Sequence, residues 1–115
     1  MVNVTFDTKS LSNQTFSSTE KSVFFFNGRN HEVFPISIIK DKVSCGCVFY
    51  AGPEIVQPNE YFTVKVTIDK VGQSGFTAQY VILRILSLEE SFEHGTIKRD
   101  VKEDVVKLEV SGTIK

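Results

Sequence analysis

From Phe62 to Ile68 every even position is apolar and every odd one polar: Phe62, Val64, Val66 and Ile68 alternate with Thr63, Lys65 and Thr67. A period of two sustained over that length predicts a half-buried β-strand with the even side chains on a core. The end of the chain repeats it, with Val106, Leu108, Val110 and Ile114 set against Lys107, Glu109, Ser111 and Thr113. The start does so more briefly, with Val2, Val4 and Phe6 against Asn3 and Thr5. No segment of useful length carries an apolar stripe of period 3.6, so the chain reads as all-β.

Between these lie segments that are apolar in both phases. Val23 to Phe26 is one, followed by the turn dipeptide Asn27-Gly28. Thr77 to Leu88 is another, with Val81, Leu83 and Ile85 on one face and Tyr80, Ile82 and Leu86 on the other. Strands of this kind sit centrally in a sheet. Pro35 to Phe49 changes phase: Ile36 and Ile38 lead, and Val43, Cys45, Cys47 and Phe49 take up the odd register. One inserted residue reconciles the two halves, which places a bulge near Ile39 to Asp41. With further turn signals at Ala51-Gly52-Pro53, Pro58-Asn59, Gly72 and Gly75, about seven strands are expected in a sandwich of two antiparallel sheets. The polar exception, EESFEHGTIKRDVKED from Glu89 to Asp104, reads as a solvated, hairpin-like connection reaching beyond the sandwich. No internal repeat or second domain is visible, and residues 1–115 read as one domain.

Composition narrows the function classes. At 115 residues, 41% of them hydrophobic and 23% charged, the chain can bury one core without staples. The formal net charge is −1 and the basic residues are scattered, whereas a phosphate-backbone binder concentrates them on one face; no nucleic-acid partner is expected. No stretch reaches the ~18 apolar residues of a membrane span, so no membrane partner is expected either. The N-terminal sequence has no basic start, apolar run or small-residue cleavage site, and is read as leaderless. On that basis Asn3-Val4-Thr5 and Asn13-Gln14-Thr15 are chance matches to the glycosylation pattern.

In chain order, Asn27-Gly28 behind a Phe-rich strand, Pro35-Ile36-Ser37-Ile38, Ser44-Cys45-Gly46-Cys47, Ile55-Val56-Gln57-Pro58, the alternation to Asp69, Gly75-Phe76 and Ser111-Gly112-Thr113-Ile114 form a pattern. It resembles a bacterial Ig-like family of unknown function, related to the Hydin and major-sperm-protein type of domain, whose hallmark is Cys-Gly-Cys. The similarity runs from about Phe6 to Ile114. It implies an Ig-like sandwich and supplies no catalytic residues. This chain has Asn59 where the family usually has glycine, and it lacks the leader that many relatives carry.

The candidate chemistry is thin. Cysteines two apart on a strand share a face, so Cys45 and Cys47 together offer a metal or redox alternative. A structural zinc needs four ligands, and the other soft candidates are His31, in a polar turn, and His94, in the charged connection. A redox thiol needs an acidifying environment, whereas Val43, Val48 and Phe49 raise a thiol pKa. A disulfide across one residue is also open to the pair. The reading adopted is architectural: both sulfurs pack inward, and Gly46 allows a close backbone approach. There is no nucleophile motif or phosphate-cradling loop, and Glu89, Glu90 and Glu93 read as solvated. No catalytic residue, cofactor or metal is assigned.

The functional expectation is therefore a non-catalytic interaction module, a subunit of a larger assembly. Its partners are other protein subunits, capsid proteins or copies of itself, with a phage-virion auxiliary or capsid-decoration protein as the specific form. The expected location is accordingly the virion, with the bacterial cytoplasm or periplasm as alternatives. The candidate contact residues are Tyr80, Ile82, Arg84 and Leu86. If Val81, Leu83 and Ile85 face the core, these four face outward, since the opposite choice buries Arg84. An outward row of this composition suits an interface centre, unless the chain's own segment Glu89 to Asp104 folds over it.

Overall fold

The computed structural model describes residues 1–115. Nine strands and no helix build two sheets. The first sheet orders β1 (Val4–Phe6), β3 (Ser22–Asn30), β7 (Tyr61–Ile68) and β5 (Val48–Ala51) as β1-β3-β7-β5. The second orders β2 (Ser10–Phe16), β9 (Thr96–Ile114), β8 (Gly75–Glu93), β4 (Ile36–Val43) and β6 (Ile55–Val56) as β2-β9-β8-β4-β6. The all-β sandwich is as expected from the periodicity, with nine strands in place of about seven. All pairings are antiparallel except β2 with β9, which is parallel.

The core lies between the sheets. Phe26, Val64, Val66 and Ile68 come from one, and Ile36, Val81, Leu83, Ile85, Leu108 and Val110 from the other. Each is at most 2% exposed, and such a side chain contributes about 1.5–3 kcal/mol of transfer free energy. The alternation read from β7 is the one observed, with Phe62, Val64, Val66 and Ile68 buried. The phase change in β4 is a register shift between Lys40 and Lys42, which leaves Asp41 as the extra residue.

Three expectations need correction. Asn27-Gly28 is not a turn: β3 runs through it to Asn30, paired with Thr63 and Phe62 of β7. The glycine is there because the Phe62 ring lies across it, edge-on to Phe6 at 5.5 Å, in the space a Cβ would fill. The second correction concerns Ser10–Phe16, a strand that alternation did not reveal. Its register shifts between Leu11 and Gln14, around Asn13 with φ +57°, so no single phase is apolar throughout.

The third concerns Cys45-Gly46-Cys47, which lies in the turn that carries the chain from β4 to β5 and so from one sheet to the other. The ladder ends there: Ser44 still pairs with Tyr80 through its N–H, and Val48 N–H then closes a turn onto the Cys45 carbonyl at 3.2 Å. Cys45 and Cys47 are half-buried and joined to each other by a disulfide. A Cβ on Gly46 would meet nothing within 4 Å, so this glycine admits no close neighbour.

Candidate interaction surface

The two longest strands make the distinctive feature. β8 and β9 pair in unbroken register from Gly75 with Ile114 to Glu93 with Thr96. Their outer neighbours stop much earlier: β4 covers β8 only as far as Ser87, and β2 leaves β9 at Glu109. Beyond Ser87 the pair continues alone as a two-stranded arm of roughly 20 Å, at ~3.4 Å per residue. It accounts for the 62 × 22 × 18 Å shape of the molecule. The arm closes on a two-residue turn, His94-Gly95, with φ +52° and +77°. Positive φ at both centres is the type I′ pattern that matches strand twist, and glycine takes the second at no steric cost. The connection Glu89 to Asp104 is thus paired β-ribbon, and it extends the sheet rather than folding over it.

The arm has two unlike faces. Continuing inward from Leu83 and Ile85, the positions are Ser87, Glu89, Ser91 and Glu93, opposite Lys102, Asp100, Lys98 and Thr96. That face is polar, and Lys102 Nζ meets Glu89 at 2.5 Å, a hydrogen bond that raises the lysine pKa. Continuing outward from Tyr80, Ile82, Arg84 and Leu86, the positions are Leu88, Glu90 and Phe92, opposite Val101, Arg99 and Ile97. Here Leu88 is 52% exposed, Phe92 74%, Ile97 57% and Val101 59%. Such residues on the solvent face of a lone ribbon gain nothing from its fold. Sequence reading missed them because charges occupy most of the neighbouring positions.

Tyr80, Ile82, Arg84 and Leu86 do lie on the outer face, half-exposed, while Val81, Leu83 and Ile85 are buried. Arg84 Nε donates to Glu103 Oε1 at 2.7 Å. That hydrogen bond raises the arginine pKa further and lowers the glutamate's. Lys107 Nζ stands 4.9 Å from the Tyr80 ring centroid and 3.3 Å from Glu109. Charges on this face are therefore neutralised in pairs. At the root of the arm, Phe34, Pro35, Ile55, Leu86 and Leu88 line a groove of about 300 Å³.

The remaining candidates do not converge. His31 Nε2 lies 2.8 Å from Thr5 Oγ1, and His94 is at the arm tip. No three His, Cys, Asp or Glu side chains gather in a metal-binding group, and sulfurs bonded to each other are not thiolate donors. Tyr50, beside a cavity between β4 and β5, has its hydroxyl buried without a partner, and burial pushes its pKa up to about 12. Replacing both cysteines by alanine is expected to cost at most about 2 kcal/mol, because closing so short a loop removes little chain entropy. Denaturant unfolding of Cys45→Ala/Cys47→Ala measures this, and a larger loss would give the pair a greater structural role.

The fold and its topology define a class: an Ig-like β-sandwich of two sheets. Among solved structures the chain is similar to the ASH/PapD-like domain of human CEP192 (PapD-like domain 7). The TM-score is 0.65 at 16% identity, over 99% of this chain and 86% of that one. No protein-family profile matches the chain, and no curated protein does. The sequence resemblance thus holds at the level of the Ig-like fold.

Proposed function

We propose that this protein is a non-catalytic interaction module that joins a larger protein assembly through the outer face of its five-stranded sheet. The observation that supports this reading is the arm. A two-stranded ribbon is at best marginally stable by itself in water, and this one exposes an apolar face continuous with the row Tyr80, Ile82 and Leu86. Contact with another protein both stabilises the arm and removes the apolar row from water. The likeness to a PapD-like domain adds only an analogy of fold.

In its finer form the proposal is a subunit of a virion, an auxiliary or capsid-decoration protein. What favours this form is shape: a small rigid body with an arm reaching past it suits a lattice of repeated copies. The test is Tyr80→Glu with Ile82→Lys, two surface changes that leave the buried face of β8 intact. The variant is expected to keep its unfolding midpoint and to lose at least ~30-fold in affinity for its assembly, the scale of an interface hot spot. Co-sedimentation with purified particles reads this out. A folded variant that joins with unchanged affinity would overturn the proposal.

A further inference from the structure

The outer face of the arm carries one charged row, Glu90 with Arg99, between two apolar rows, Phe92 with Ile97 and Leu88 with Val101. Arg99 Nε lies 3.2 Å from Glu90 Oε1, so the row is neutral. Further down, Arg84 is paired with Glu103 and Lys107 with Glu109. A face of strong single sign selects a partner of opposite sign and forbids a copy of itself. This face carries no net sign, and on the arm its apolar and charged rows run straight across both strands, while the rows below, Leu86 with Glu103 to Tyr80 with Glu109, mix the two. Those are the requirements of a self-complementary surface.

We infer that the occupant of this face is the same face of a second copy of the chain, packed about a two-fold axis lying along the arm. The inference rests on the interaction-module reading above and names its partner. The axis follows from charge. Rotation about the arm's length lays β8 of one copy over β9 of the other. Glu90 then faces Arg99 of the second copy, Phe92 faces Ile97, and Leu88 faces Val101. Rotation about an axis across the ribbon at the charged row would set Glu90 on Glu90 and Arg99 on Arg99, like against like. Size extends the contact: the arm presents only ~200 Å² in projection, from ~20 Å by ~10 Å, against the ~800 Å² per partner of a stable interface. The contact therefore runs down onto Arg84, Ile82 and Tyr80.

The experiment uses two charge-reversal variants of the whole 115-residue chain. Glu90→Lys makes the charged row doubly positive, and Arg99→Glu makes it doubly negative. Sedimentation velocity is expected to show a wild-type dimer at tens of micromolar. Each single variant should dissociate at least ~10-fold more readily, and their equimolar mixture should regain a dimer, since opposite rows now face each other. Phe92→Glu, on the arm and outside the core, should be folded and monomeric. Wild-type protein that stays monomeric, or single variants that dimerise as well as wild type, would overturn the second copy as occupant. If the monomeric protein nevertheless joins its assembly, and Tyr80→Glu/Ile82→Lys abolishes that, the interaction-module reading stands without this inference. If that double variant joins unchanged, the broader reading falls.

Discussion

Gly112→Ala is expected to lower the stability of the domain by about 3 kcal/mol or more, at the upper end of what overpacking costs. Gly112 is buried in β9 where the parallel strand β2 passes, opposite Gln14. A Cβ there would overlap the Gln14 carbonyl and come within 2.7 Å of its nitrogen. Backbone cannot give way as a flexible side chain does, so β2 must move off. Phe16, fully buried at the far end of that strand, then loses its cover. Gly46→Ala is the control: it meets open space, and its effect should stay within about 0.5 kcal/mol. Paired denaturant curves decide between them. Equal midpoints for Gly112→Ala and wild type would mean that β2 does not lie where it is placed.

Asn30→Ala should cost about 3 kcal/mol, on the order of 10 °C in Tm. Asn30 is fully buried at the end of β3. Its Nδ2 donates to the carbonyls of Phe34, Val56 and Gln57 at 3.1–3.2 Å, and its Oδ1 accepts the Glu32 N–H at 2.8 Å. One side chain thereby ties the β3–β4 connection to the end of β6. Truncation leaves several backbone groups without partners, each costing about 1–3 kcal/mol where water cannot reach it. Asn30→Asp is the sharper probe, because an ionised carboxylate would face three carbonyl oxygens and donate nothing. At neutral pH it should be at least as unstable as Asn30→Ala. Its carboxyl should be held above the usual range in the folded protein, so the deficit should shrink as acid protonates it. A pH-independent Asn30→Asp with wild-type stability would contradict the geometry.

What could be read from the sequence, and what could not, divides along physical lines. β7, the end of β9 and the inward set Val81, Leu83 and Ile85 were legible because one face meets the core and the other water, leaving a clean period of two. β2 was not, because the bulge at Asn13 breaks the period and its partner lies 98 to 99 residues away. Glycine misled twice. Gly28 looks like a turn and is a slot for a ring; Gly46 looks like a close approach, while the close approach is at Gly112. The spacing shows only that a side chain is missing, not what occupies its place. The outward placement of Tyr80, Ile82, Arg84 and Leu86 followed from the cost of burying Arg84. The arm face did not emerge, because its apolar residues recur every fourth position, Leu88 and Phe92, then Ile97, Val101 and Val105. That spacing is diluted for a strand, and it lies inside a run of charges.

The parallel pairing of β2 with β9 also decides how the domain bears tension. Pull its two ends apart, and β2 is drawn one way along its axis while β9 is drawn the other. The ladder between them, from Ser10 with Glu109 to Phe16 with Ile114, is then loaded in shear, with its hydrogen bonds sharing the force at once. The clamp is extended at one end by Lys115, whose N–H donates to the Phe16 carbonyl at 2.9 Å and whose own carbonyl accepts from Ser18. An antiparallel hairpin pulled from its open end would unzip bond by bond. Forced unfolding is governed by the barrier rather than by the equilibrium free energy, and once the short β1 has left β3 the load passes to the one parallel seam in the protein.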